Sequence, residues 1–119
     1  MRDICISDMM NMQWNLWEAH KNSWSPMTPE YARDSMLFMI EEIGECIAIM
    51  KKKGNASIVG DSQVRTHFVE EMSDVLMYFI DTLLRYGITS DEISSTYIEK
   101  HNQNLKRDYT SEYKSKYTT

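Results

Sequence analysis

Proline and glycine are scarce in this chain, and their positions constrain the fold more than any other sequence feature. Only two prolines and four glycines occur in 119 residues, and most of them stand between periodic apolar segments rather than inside them. Apolar residues within those segments recur at helical spacing. We therefore expect an all-α protein, a bundle of four to five helices, forming a single domain over residues 1–119.

Start and stop signals place four main helices and a tail. Thr28-Pro29 opens the second, Lys53-Gly54 closes it, and Gly87 ends the third. The predicted helices span about 7–23, 29–53, 62–86 and 89–109. Residues 110–119, rich in serine, threonine, lysine and tyrosine, are expected to form a frayed C-terminal tail.

Charge and hydropathy exclude several classes of partner. A net charge of −5 argues against binding a nucleic acid polymer, which requires a basic face. No apolar run approaches the ~20 residues that cross a bilayer, and the first residues lack the apolar block of a signal peptide. Cys5 and Cys46 form no CxxC motif, so both are expected to be reduced. These features predict a cytoplasmic protein with no membrane contact.

The second and third predicted helices each carry an apolar stripe of the kind that forms a bundle seam. The stripe residues are Met36, Ile40, Ile43, Ile47 and Met50 in one helix and Met72, Leu76, Phe79 and Leu83 in the other. Four short helices leave such stripes on more than one side. We therefore expect oligomerisation to complete the bundle core.

An acidic stripe runs beside each seam. Glu42 and Glu45 share one stripe, and Glu71 and Asp74 repeat the same spacing on the next long helix. If these helices pack antiparallel, four carboxylates meet in one cleft. Stacked like charges repel one another unless a cation binds between them, and all-oxygen ligation favours Mg²⁺ or Mn²⁺. A solvated acidic surface is the alternative interpretation.

These residues carry a family resemblance. Glu41-Glu42-Ile43-Gly44-Glu45, 25 intervening residues and Glu71-Met72-Ser73-Asp74 resemble the EExxE and ExxD motifs of MazG-type nucleotide pyrophosphohydrolases. Lys100, Asn104 and Arg107 resemble the KxxxNxxR element of that family. The likeness extends from Trp14 to Arg107, and Ser73 departs from it where glycine or alanine is usual. The wider all-α NTP pyrophosphatase superfamily includes dimeric dUTPases, dCTP pyrophosphatases and phosphoribosyl-ATP pyrophosphohydrolases.

The resemblance implies a reaction and a cofactor. It implies Mg²⁺-dependent hydrolysis of ribo- or deoxyribonucleoside triphosphates between the α and β phosphates, with Mn²⁺ able to substitute, in nucleotide-pool sanitation. Glu42, Glu45, Glu71 and Asp74 become the metal ligands. Glu41 becomes a catalytic residue acting as a base, with an ordinary surface ion pair as the alternative.

The resemblance also implies substrate contacts and an assembly. Lys100, Asn104 and Arg107 become phosphate-binding residues, the alternative being a plain cationic helix face. Trp14, Trp17 and Tyr78 become nucleoside contacts, the alternative for each tryptophan being core packing. Relatives in the family are dimers or tetramers, which implies a homodimer or homotetramer. A non-catalytic helical interaction module or a nucleotide sensor is the competing functional class.

Overall fold

The computed structural model describes residues 2–107 and 109–117, and every regular element in this part of the chain is helical. A 3₁₀ turn at Pro29–Tyr31 precedes the second helix. The helices are α1 Ile6–His20, α2 Ala32–Lys53, α3 Asn55–Gly60, α4 Ser62–Arg85, α5 Ser90–Lys106 and α6 Tyr109–Tyr117. The all-α prediction is confirmed. The chain divides into two compact units, Met1–Thr89 and Ser90–Thr119.

Helix ends follow the punctuation in the sequence. Gly54 ends α2 at a φ of +83°, a region that glycine adopts without steric cost. The Asp61 side chain caps α4 by accepting a hydrogen bond from the Gln63 N–H at 3.0 Å. At the other end of α4, the Ile88 N–H donates to the Leu83 carbonyl at 2.9 Å, with Gly87 at a φ of +68°, which is a Schellman motif.

Two helices lie where the sequence predicts none. Helix α3 occupies the expected connection and is tied to α4 by Arg65 Nη1, which donates to the Ile58 carbonyl at 3.4 Å. The structure places residues up to Tyr117 in α6, in contrast to the predicted frayed tail; residues 118 and 119 lie outside the described part. Glu112, in the first turn of α6, forms an ion pair with Arg107, whose Nη2 lies 2.7 Å from Glu112 Oε2. A negative charge in the first turn also stabilises a helix through its dipole.

Helices α2 and α4 form an antiparallel pair. Ser35 near the start of α2 bonds to Asp81 near the end of α4. The Phe38 and Tyr78 rings lie 5.7 Å apart one turn further along. Because partners on α4 come earlier in the chain as partners on α2 come later, the two helices run in opposite directions. This orientation brings their acidic stripes face to face.

The core of the described residues is small. Its buried apolar side chains are Met10, Ala32, Cys46, Ile49, Ile80 and Leu83. The predicted α2 seam is not the face that meets α4, because Met36, Ile40, Ile43, Ile47 and Met50 remain 40–58% exposed. The buried residues of α2 are instead Ala32, Ser35, Cys46 and Ile49, and Ser35 bonds to Asp81 of α4. Separately, no described helix is both long and apolar enough to span a bilayer.

Candidate functional site

Three carboxylates from two helices meet at one point, and we refer to Glu42, Glu71 and Asp74 as the acidic triad. Each offers one carboxylate oxygen, and these oxygens all lie within 4.8 Å of one another. Glu71 and Asp74 share a face of α4 because they are three residues apart, and the antiparallel pairing brings Glu42 opposite them. The structure thus brings together three of the four carboxylates predicted as metal ligands.

The other two predicted carboxylates lie beside the acidic triad. Glu45 is exposed on α2, although its charge contributes to raising the pKa of Glu42. Glu41 is also exposed, and its charge contributes to raising the pKa of Tyr78. Glu45 therefore adds to the negative potential at the acidic triad and Glu41 to that at Tyr78, and neither belongs to the triad.

The electrostatics of the acidic triad centre on Glu42. A hydrogen bond with Glu71 raises the pKa of Glu42 to about 7, with burial and the charges of Glu71, Asp74 and Glu45 adding to the effect. The pKa of the Cys46 thiol, one turn from Glu42 on α2, is raised mainly by burial, and the charges of the triad carboxylates add to this effect. Like charges this close favour retention of a proton. Glu42 therefore retains a proton closer to neutral pH than an ordinary glutamate does.

His67 is a further neighbour of the acidic triad. Its Nε2 lies 3.3 Å from Glu71 Oε1, and the Glu71 side chain is 16% exposed. The two residues are one turn apart on α4. This contact places an imidazole ring beside one carboxylate of the acidic triad.

A pocket of about 530 Å³ opens beside the acidic triad, with Glu42 and Asp74 in its wall. Its volume lies within the range of about 300–1,000 Å³ typical of small-molecule sites. Phe38 and Tyr78 also line it, with their rings tilted at 41°. Burial first, followed by the charges of Glu42 and Asp74, raises the pKa of the Tyr78 hydroxyl. The pocket therefore joins an acidic edge to an aromatic wall.

The predicted nucleoside contacts divide into two groups. Tyr78 lines the pocket, while Trp14 and Trp17 lie outside its lining. The ring centroids of the two tryptophans are 5.3 Å apart. Trp17 Nε1 donates to the Ser25 carbonyl at 2.8 Å, which fixes the loop after α1. The tryptophan on the pocket wall is Trp24, in that same loop. The Trp24 ring stacks on the His20 ring with their centroids 4.7 Å apart.

A buried polar network on the pocket wall was not found by sequence reasoning. Arg85 Nε donates to Asp81 Oδ2 at 2.6 Å, and Ser35 Oγ donates to the same oxygen. Arg85 Nη1 donates to the Pro26 carbonyl at 2.6 Å. The signal that points to this network is the run of Asp74, Tyr78, Asp81 and Arg85 at spacings of four, three and four, which places all of them on one face of α4.

The predicted phosphate-binding residues belong to the second compact unit. Lys100 and Asn104 are exposed on α5, and Arg107 follows its last residue. Arg107 Nη1 donates to Asn104 Oδ1 at 3.4 Å, and Arg107 Nε donates to the Glu112 carboxylate at 2.9 Å. Asn104 and Arg107 are therefore in contact, and Arg107 is also engaged by an acidic side chain.

Comparisons with known proteins give no match: no family model, no curated protein and no solved structure matches this chain. Function is therefore argued from the chemistry of the site itself.

Proposed function

We propose that this protein is a Mg²⁺-dependent nucleoside triphosphate pyrophosphohydrolase that cleaves ribo- or deoxyribonucleoside triphosphates between the α and β phosphates. Nucleotide-pool sanitation is the corresponding cellular role. The observation that carries the proposal is the acidic triad, whose ligand oxygens lie within 4.8 Å of one another at the edge of an aromatic pocket. The motif resemblance supports the same reaction.

The donor set of the acidic triad fits a hard divalent cation. Carboxylate oxygens are the ligands that Mg²⁺ and Mn²⁺ prefer, and the clustered negative charges repel one another without a cation. The hydrogen bond with Glu71 is the main cause of the raised pKa of Glu42, and burial and the neighbouring negative charges add to it. Glu42, Glu71 and Asp74 would hold the metal, with Glu45 proposed as a further ligand. A bound Mg²⁺ supplies positive charge and Lewis acidity.

The reaction consumes one water molecule. The water oxygen bonds to phosphorus, the anhydride bond between the α and β phosphates breaks, and the products are a nucleoside monophosphate, pyrophosphate and a proton. Glu41 is the proposed proton acceptor, since it is exposed next to Glu42 on α2. Lys100, Asn104 and Arg107 are the proposed phosphate-binding residues, on the strength of the motif resemblance alone.

The aromatic wall of the pocket suits the nucleoside portion of the substrate. Tyr78, Phe38 and Trp24 line it, and aromatic faces bind sugars and bases by stacking and apolar contact. Trp14 and Trp17 are proposed to act indirectly, because Trp17 bonds to the Ser25 carbonyl in the loop that carries Trp24.

We further propose that the protein is a homodimer or homotetramer. The apolar seam of α2 is exposed, and α4 exposes apolar side chains as well. Met72 is 47% exposed and Leu76 is 42% exposed. Exposed apolar stripes that extend along a helix are typical of surfaces covered by a partner. Light scattering at micromolar concentration tests the assembly, and a monomer would contradict it. The same surface is the feature that favours the competing function, a helical interaction module without catalysis.

The decisive experiment measures both products from a panel of ribo- and deoxyribonucleoside triphosphates, each incubated with Mg²⁺ and with EDTA. The proposal predicts equal amounts of pyrophosphate and nucleoside monophosphate from at least one triphosphate, with Mg²⁺ only. Release of inorganic phosphate and a diphosphate instead would assign a different bond. No release from any triphosphate would contradict the hydrolase and leave the interaction module or nucleotide sensor.

A further inference from the structure

The loop between α1 and α2, residues 21–28, forms part of the pocket wall. Ser23, Trp24 and Ser25 line the pocket. The Trp24 N–H donates to the His20 carbonyl at 2.9 Å, a bond that spans only four residues. A bond of this kind shapes the loop without fixing it to α2 or α4, and segments held only by local bonds open easily. The position of this wall therefore depends on the side chains that hold it.

Two side chains from different helices hold adjacent carbonyl groups of the loop. Trp17 Nε1, from α1, donates to the Ser25 carbonyl at 2.8 Å. Arg85 Nη1, from α4, donates to the Pro26 carbonyl at 2.6 Å. Because the two bonds reach neighbouring peptide groups from separate helices, together they restrict both the position and the tilt of this part of the loop.

Arg85 is itself held in place by a buried network. It is 8% exposed, and its Nε donates to Asp81 Oδ2 at 2.6 Å, the oxygen that also accepts from Ser35 of α2. A guanidinium has separate nitrogens for two partners, whereas an ammonium group has one. Arg85 therefore connects the paired helices α2 and α4 to the Pro26 carbonyl of the loop.

We infer that Arg85 and Trp17 are positioning residues that hold the α1–α2 loop as a wall of the pocket, so that nucleotide binding depends on both. This inference rests on the proposed function, because it takes the ligand of the pocket to be a nucleoside triphosphate. The acidic triad lies on α2 and α4, outside the loop. Loss of either bond should therefore weaken binding and leave the chemical step largely unchanged.

Hydrogen exchange of the loop amides, measured by mass spectrometry on the full chain without metal or nucleotide, tests the anchoring. Arg85→Lys keeps a positive charge beside Asp81 and removes the second nitrogen, and Trp17→Phe keeps an aromatic ring without the donor. Exchange in residues 21–28 should be roughly 10- to 100-fold faster in Arg85→Lys and roughly 3- to 10-fold faster in Trp17→Phe. Exchange around Ile80, in the core of α4, should stay at the wild-type rate in both variants.

Arg65→Lys is the matched control. Arg65 also projects from α4 and donates through Nη1 to a backbone carbonyl, that of Ile58, and it lies outside the lining of this pocket. This variant should leave loop exchange unchanged. Wild-type loop exchange in Trp17→Phe or in folded Arg85→Lys would overturn the inference, and so would an equal acceleration in Arg65→Lys. If Arg85→Lys does not fold, Trp17→Phe decides.

Steady-state kinetics test the effect on binding, with the triphosphate that the wild type cleaves fastest as the probe. KM should rise at least about threefold in Trp17→Phe and in Arg85→Lys, with kcat within about twofold of the wild type. Trp17 is the more informative position, because it lies outside the pocket lining and its effect must pass through the loop. A lower kcat at unchanged KM would overturn the inference.

The two assays separate this inference from the proposed reaction. Pyrophosphate release with unchanged loop exchange in the variants would refute the anchoring and leave the hydrolase intact. Without turnover of any triphosphate the hydrolase is refuted, and hydrogen exchange alone decides the anchoring: acceleration confined to the loop supports it, and unchanged exchange overturns it.

Discussion

Glu42→Gln is expected to stabilise the metal-free protein at alkaline pH, the opposite of what substitution in a packed site usually does. The pKa of Glu42 is raised from 4.5 to about 7. A raised pKa in the folded state stabilises the protein fully below pH 4.5, and this contribution is lost as the pH rises through 7. Above that pH, the three carboxylates of the acidic triad are ionised together. Glutamine keeps the side-chain volume and removes one charge.

The size of the effect follows from the distances within the acidic triad. Two unit charges at the 4.8 Å limit interact with about 3.5 kcal/mol at an effective dielectric constant of about 20. Salt screening and the partial exposure of these side chains reduce the net gain to about 1 kcal/mol. For a domain of this size, that free energy corresponds to a rise in Tm of about 3–6 °C.

Thermal unfolding followed by circular dichroism at pH 8 and at a pH below 4.5 measures this difference. In EDTA at pH 8, Glu42→Gln should melt about 3–6 °C above the wild type, and below pH 4.5 the two proteins should melt together. Adding Mg²⁺ at pH 8 should raise the wild-type Tm more than that of the variant, because a ligand charge is missing. Glu70→Gln, on the exposed neighbour of Glu71, is the control and should change neither value. A variant that melts below the wild type at pH 8 in EDTA would show that the charge of Glu42 does not destabilise the metal-free protein.

The remaining predictions concern turnover, stability and assembly. Asp74→Asn should lower pyrophosphate release by more than about 100-fold, as expected for loss of a metal ligand, with an unchanged helical circular dichroism spectrum; activity near the wild-type value would argue against a ligand role. Arg85→Met should cost about 3–5 kcal/mol in urea unfolding because it leaves the Asp81 charge buried without a partner, and a loss under about 1 kcal/mol would show that the pair is not buried in solution. Ile43 is 40% exposed on the α2 seam, and Ile43→Lys should convert the proposed oligomer to a smaller, folded species whose mass is measured by light scattering. An unchanged mass would exclude this face as the interface.

Local signals in the sequence identified much of the fold. Helix ends were predictable because their causes lie within a few residues, as with the Asp61 cap and the positive φ of Gly54 and Gly87. The acidic triad was predictable for a related reason, since the spacing of Glu71 and Asp74 sets their common face and short connections favour antiparallel helices.

Features that depend on distant pairing were not predictable in the same way. The bond from Ser35 to Asp81 joins residues 46 positions apart, and the bond from Arg85 to Pro26 spans 59. Neither pairing is specified by periodicity. Likewise, an amphipathic stripe indicates that a face will be covered but not by what, so the sequence predicted the apolar α2 seam without specifying that a different face of α2 meets α4.

Mn²⁺ binding measured by electron paramagnetic resonance tests whether the acidic triad binds a divalent cation. We expect a class of Mn²⁺ sites in the wild type at pH 8 that Mg²⁺ displaces and that Glu71→Gln removes, while Glu70→Gln retains it. Equal Mn²⁺ binding by the wild type and Glu71→Gln would show that the acidic triad is not the metal site.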